Sequence, residues 1–234
     1  MRVLALETST EYCSVALWQD GEVVSRCESV GQKHSERLMP MIDELLQATG
    51  NGIRDTGYRI QDMDAIAFGM GPGSFTGVRI ACGVAQGLAL GANLPVVGVC
   101  TLEALAEASG HDKVIAVLDA RMSEIYHAAY EKQGDEWIAA SEPCLCKPED
   151  APVVTGEGWF AAGSGFAVNG AALEVRYAGQ LCGVDGTVVP QAAAIAALGA
   201  RRLARGGGVD ASQALPLYLR DKVALTTAER ECAK

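Results

Sequence analysis

Three apolar strand patterns in a row, followed by regular alternation of helix and strand, constrain this chain more than any other feature. Residues 2–6 (RVLAL) and 12–18 (YCSVALW) read as buried strands, and Asp20-Gly21 turns the chain into a third strand, 22–30, as a hairpin and meander. Leu38, Met41, Ile42, Leu45 and Leu46 then fall on one stripe of a helix over 35–48, with Glu36, Asp43, Glu44 and Gln47 on the other side. Pro40 stands near its start, where the missing N–H matters least. A glycine-bearing loop over 50–57 leads to a strand at 64–69, and the loop GMGPGSFTG (69–77) opens a long helix running to about Leu90. A strand at 95–99 and a short helix from Thr101 through Ala108 complete the order β-β-β-α-β-α-β-α. That order predicts an α/β fold.

After Gly110-His111-Asp112 the pattern restarts. Strands are expected at 113–118, 124–131 and 136–141, the last two joined by a turn at Gly134-Asp135. Residues 142–189 are rich in proline and glycine, with strands expected near 152–155 and 173–177; an Ala-rich helix over 190–205 ends at Gly206-Gly207-Gly208. The expectation is two related α/β halves, 1–108 and 109–234, the second degraded. A chain of 234 residues with 49% apolar content can bury such a core without staples.

Charge and cysteine usage exclude several function classes. Residues 1–108 carry 7 basic against 13 acidic side chains, and the remainder 12 against 16. Neither half is suited to gripping a phosphate backbone alone. The eight cysteines form no CxxC, and the closest pair, Cys144 and Cys146, lacks the partner motif of a zinc site. Reduced cytosolic thiols are expected. The start MRVLALETST is too short in apolar residues for a signal peptide core, and no apolar run is expected to span a membrane. The localisation expected is cytoplasmic.

Two glycine- and hydroxyl-rich segments are candidates for phosphate contact. Gly69, Gly71, Gly73 and Gly77 lie between a strand and a helix N-terminus, where free N–H groups can hold an anion and Ser74 can cap. The loop is neither GxGxxG nor GxxxxGK[ST], has no phosphate-reaching lysine, and loses a donor at Pro72, so a tight structural turn competes with this reading. Glu7, Thr8, Ser9 and Thr10 occupy a hairpin turn; a carboxylate followed by hydroxyls suits metal-phosphate, and a side-chain-capped turn needs the same residues. Asp119 offers one carboxylate in the second half for a magnesium-nucleotide site across a cleft, or an ion pair with Arg121. His34, His111 and His127 form no HxxxH or HExxH pair, and no GxSxG elbow supports a serine nucleophile. No catalytic residue, metal or cofactor is assigned.

The long helix says more than any ionisable group. Between Val78 and Leu90 its only polar side chains are Arg79 and Gln86, seven residues apart. A helix covering one sheet face should show a broad wet side, and this one does not. Gly83, Gly87 and Gly91 recur every fourth residue, as do Ala81, Ala85 and Ala89 nearly opposite. Each mid-helix glycine costs about 1 kcal/mol relative to alanine. Close approach by another helix would offset that, either the 35–48 helix of the same chain or a helix from a partner.

MRVLALETSTEYCSVALWQDG, HSERLMPMIDELL, GMGPGSFTGVRIACGVAQGLALG, VVGVCTLEALA, LDARMSEIY and PLYLRDKVA closely resemble the bacterial TsaB (YeaZ) family, which takes part in making threonylcarbamoyladenosine in tRNA. The resemblance runs from the first strand to Ala224, with 140–190 unanchored, and GPGSFTGVR is its most specific stretch. It implies two actin-like, ribonuclease H-like α/β domains of the sugar-kinase and chaperone ATPase superfamily. It also implies a non-catalytic relative of TsaD that pairs with TsaD, helps recruit the ATPase TsaE, and meets tRNA only through the complex. Whether a homodimer forms when the partner is absent is left open by the sequence.

The catalytic relatives carry a metal-binding histidine pair on the helix matching 34–48; here only His34 stands, followed by Arg37, Leu38 and Met39. Glu7 stands where many relatives have Asp. Partner contacts are implied along both amino-terminal helices, at Leu38, Met41, Leu45, Arg79, Gly83, Gln86 and Gly87. The competing reading is an actin-like ATPase or phosphotransferase with nucleotide held between the domains by Glu7, Thr8, Ser9, Gly71, Gly73 and Asp119.

Overall fold

A computed structural model describes residues 1–49 and 57–220. The loop expected over 50–57 therefore lies outside the described residues except for Gly57. The amino-terminal meander forms as read: β1 (Arg2–Glu7), β2 (Tyr12–Gln19) and β3 (Glu22–Ser29), with Asp20 and Gly21 both at positive φ in the β2–β3 turn. Helix α1 (His34–Thr49) precedes β4 (Ala65–Gly71), which pairs parallel with β1. Helix α2 (Phe75–Ala92) then returns the chain to β5 (Val96–Cys100), parallel to β4. The first sheet has the order β3-β2-β1-β4-β5.

The second half repeats the scheme. Strands β6 (Lys113–Asp119), β7 (Ile125–Gln133) and β8 (Glu136–Cys146) make an antiparallel meander. The strands β9 (Trp159–Ala162) and β10 (Leu181–Asp185) add in parallel on the other side of β6. The second sheet is ordered β10-β9-β6-β7-β8, the same plan as the first. A single 3-10 turn at Pro148–Asp150 stands between β8 and β9, where the first half has α1.

Residues 142–189 depart from the sequence reading. No strand forms at 152–155, and 173–177 falls at the end of helix α4 (Ser164–Arg176), followed by Tyr177. Gly165 and Gly170 lower the helical signal there, and Asn169 breaks the helical backbone at φ −119°. Gly165 is needed for contact: a Cβ there would sit 2.2 Å from a Val117 methyl.

Helices α3 (Thr101–Ser109) and α5 (Ala192–Ala204) form a layer shared by the two sheets. Leu102, Leu105 and Ala106 pack on the second sheet, whereas Ala104 and the buried face of α5 pack on Val3, Ala5, Ala65 and Ala67 of the first. Glu103 pairs with Arg202, and Glu107 with Arg201, Lys132 and the Trp137 indole N–H, tying the layer together. The outer faces are covered by α1 and α2 on the first sheet and α4 on the second. The α/β expectation is therefore met with five layers. The seven described cysteines are free thiols.

Candidate functional site

The two segments nominated for phosphate contact are packed into one another. The first turn of α2 abuts the β1–β2 turn so closely that a Cβ at Gly77 would lie 1.9 Å from the Thr8 carbonyl oxygen. Thr8 Oγ1 donates to the Gly77 carbonyl at 2.7 Å, and the Ser74 N–H donates to the Ser9 carbonyl at 2.7 Å. Ser74 caps the helix by accepting from the Gly77 N–H, as the sequence suggested. Gly73 and Gly77 thus admit the Ser9 and Thr8 backbone, and Gly69 admits the Glu7 carboxylate.

The six residues considered for nucleotide divide accordingly. Glu7 is 1% exposed and Thr8 fully buried, beneath the surface of the cleft between the two sheets. Gly71 is covered by Leu217, whose N–H donates to the Met70 carbonyl. Ser9, Gly73 and Asp119 do meet on the walls of that cleft, a cavity of about 700 Å³. There Asp119 already pairs with Arg121 at 3.2 Å, and its Oδ1 accepts from the Arg121 N–H. Arg121 and Met122 on the same wall, and Ser123 after them, all hold positive φ. Arg220 steadies them by donating to the Ala120 carbonyl and pairing with Glu124.

Burial pushes the Glu7 carboxyl up from its ordinary value, and hydrogen bonds from Ser9, Thr8 and Thr101 only partly oppose it. A carboxyl raised in the folded state keeps its proton where the unfolded chain releases it. Wild-type stability therefore falls as pH rises above about 4.5 and levels off only beyond the folded-state value. Glu7→Gln, which keeps the shape without the charge, is expected to gain in melting temperature over wild type as pH goes from 4.5 to 8. Thermal unfolding across that range checks it, and a pH-independent difference would refute it.

The partner-helix residues also divide. Leu38, Met41 and Leu45 are buried in the core between α1 and the first sheet, at 1% exposure or less, and cannot be surface contacts. The apolar stripe of α1 faces inward because burying it on β2 is what holds the helix to the sheet. What α1 presents outward past its first turn is Met39, Pro40, Asp43, Glu44, Gln47 and Ala48. Arg37 and Glu44 occupy the flank toward β3, pairing with Glu28 and Arg26, so Met39 and Asp43 lie on the flank toward α2. Sequence reasoning passed over these two because only the inward stripe is periodic.

On α2 the outcome is reversed. Ala81, Ala85 and Ala89 are fully buried, and Gly83, Gly87 and Gly91 are exposed, with nothing within 4 Å of a Cβ built at any of the three. Ile80, Val84 and Leu88 are half-buried beside them, and Leu90 is 78% exposed. Gln86 leans away, its amide donating to the Ala214 carbonyl at 2.8 Å. Arg79 is exposed and lies over the rings of Phe75 (3.2 Å to the centroid) and Tyr218 (4.8 Å), two half-exposed aromatics at the cleft mouth. Helix α2 is long and apolar enough to cross a membrane by length and composition alone. It carries only one charged side chain, yet it packs its alanine face on β4.

Comparison with known proteins places this surface in context. Residues 26–228 match the family model described as TsaD, tRNA N6-adenosine threonylcarbamoyltransferase. The chain is 38% identical to the tRNA threonylcarbamoyladenosine biosynthesis protein TsaB of Escherichia coli, across 96% of both chains. It is 36% identical to the protein of that name from Haemophilus influenzae, across 95% of both. Among solved structures it is similar to YeaZ from Pseudomonas aeruginosa, with a TM-score of 0.84 and 40% identity over 93% of this chain and 99% of that one.

Proposed function

The chain belongs to the TsaB (YeaZ) family of tRNA threonylcarbamoyladenosine biosynthesis proteins, and we propose that it serves that pathway as a non-catalytic subunit pairing with a TsaD-like catalytic subunit. The observation that carries this reading is the open glycine face of α2. Three exposed glycines in a row cost helix stability and bury nothing within the chain, so their use lies in letting another backbone approach. The contact residues proposed are Arg79, Gly83 and Gly87, with Met39 and Asp43 contributed by α1. Leu38, Met41 and Leu45 support the surface from below.

In this reading the pair recruits a TsaE-like ATPase, tRNA is held only by the complex, and the same surface closes a homodimer when the partner is missing. Its place is the cytoplasm. The second half, with one 3-10 turn in place of an α1 equivalent, is a reduced copy of the first. One observation favours the actin-like ATPase or phosphotransferase reading instead: the Ser9 hydroxyl is buried without a hydrogen-bond partner on the cleft wall. Against it stands Asp119, engaged by Arg121.

Purified alone, the protein is expected to show no ATP turnover above background and no micromolar tRNA retention at about 0.15 M salt, because its net charge of −10 offers no counterion release. Mixed with the TsaD-like subunit it is expected to elute as one complex that retains tRNA. Steady turnover by the isolated chain, abolished by Ser9→Ala or Asp119→Ala, would favour the ATPase reading.

A further inference from the structure

Across the β7–β8 ladder, His127 stands directly opposite Cys144, and Cys146 follows two residues on, so all three side chains share one face of the sheet. His127 is fully buried. Its Nε2 lies 2.7 Å from the Tyr177 hydroxyl, which in turn lies 2.8 Å from the Pro152 carbonyl. A carbonyl only accepts, so the single hydroxyl proton goes to Pro152, and the Tyr177 oxygen accepts from His127 Nε2–H. That assignment leaves Nδ1 as the ring position that can take or give a proton, and Nδ1 is buried with no hydrogen bond of ordinary geometry. The residue paired with it across the ladder, Cys144, is half-buried, unlike the fully buried His127.

We propose that Cys144 is a nucleophilic thiolate, poised by His127 and Tyr177 as a modification site for small soft carbon electrophiles of the α,β-unsaturated carbonyl class. The thiol proton passes to His127 Nδ1, and Tyr177 orients the ring as a positioning residue. The sulfur lone pair then forms a C–S bond to the β-carbon; the C=C π pair moves to the α-carbon, which takes a proton from the imidazolium or from water. Nothing leaves, and no oxidant or reductant is involved. The neighbouring Cys146 thiol and the His127 ring together hold the Cys144 thiol down to about 5, against burial, whereas Cys144 and burial push Cys146 up. The other charged groups around the pair are Asp150 and Arg176, beside Cys146.

The test uses the intact protein with acrylamide as probe and peptide mapping of each cysteine, Cys27 and Cys182 serving as exposed internal references. At pH 6 a thiolate of this kind is almost fully formed and an ordinary thiol about a thousandth so. Weighted for its lower intrinsic nucleophilicity, Cys144 is expected to react about tenfold faster than either reference. Its rate should be nearly flat from pH 6 to 8, while theirs climb about tenfold per pH unit. His127→Gln should restore the steep profile at Cys144, and Tyr177→Phe should shift it part of the way. The wild-type profile suffices if those variants do not fold. A Cys144 rate that climbs with pH in parallel with Cys182, or modification falling first on Cys146, would overturn the proposal.

Discussion

Gly87→Leu is expected to leave the isolated protein folded while weakening its pairing with a TsaD-like subunit by about ten- to a hundredfold. A Cβ at Gly87 meets nothing within 4 Å, so the new side chain projects into solvent in the monomer. Helix propensity then favours the variant by a little under about 1 kcal/mol, or a melting temperature some 2–4 °C higher. In the complex the same isobutyl group stands where two helix backbones should nearly touch, and overpacking a tight contact costs about 1–3 kcal/mol. Circular dichroism and size-exclusion chromatography with the partner check both halves. A folded variant that pairs normally would remove α2 from the interface. Leu45→Glu does not test the same surface, because Leu45 is fully buried and a charge there would damage the core.

A pair of glycine-to-alanine changes in the same helix should move stability in opposite directions. Gly83→Ala is expected to stabilise by roughly 1 kcal/mol, having open space and a better helix former. Gly77→Ala places its methyl 1.9 Å from the Thr8 carbonyl oxygen, a backbone atom that moves only if the β1–β2 turn separates from α2. The expected cost is about 3 kcal/mol or more, with loss of the Thr8 Oγ1 bond to the Gly77 carbonyl. Chemical denaturation of both variants beside wild type would show it. Equal effects would mean that the contact between the β1–β2 turn and α2 does not contribute to stability.

Much of the fold was legible because it rests on local periodicity. Strands β1, β2 and β4 are nearly unbroken apolar runs, and the inward stripe of α1 is spaced at helical intervals, so both could be read without any knowledge of neighbours. Helix α4 was not legible: Gly165 sits under Val117 and Asn169 interrupts the helical backbone, features that only a long-range contact explains. The Phe75–Arg79–Tyr218 stack was equally hidden, since its members come from segments 139 residues apart at their closest.

The sequence by itself determined that α2 would carry two small-residue stripes and almost no wet side. Only the tertiary structure decided which stripe would be buried. Each alanine turned onto β4 removes a methyl group from water, and a glycine removes none, so the hydrophobic effect drives the alanine stripe inward and leaves the glycines outside. The same limit applies to Glu7, Thr8 and Ser9. Their types admit a phosphate turn or a structural one, and the choice was made by the close docking of α2, which buried all three and left Ser9 alone bordering the cleft. Composition and spacing carry local preference; which face meets which depends on the burial available elsewhere in the chain.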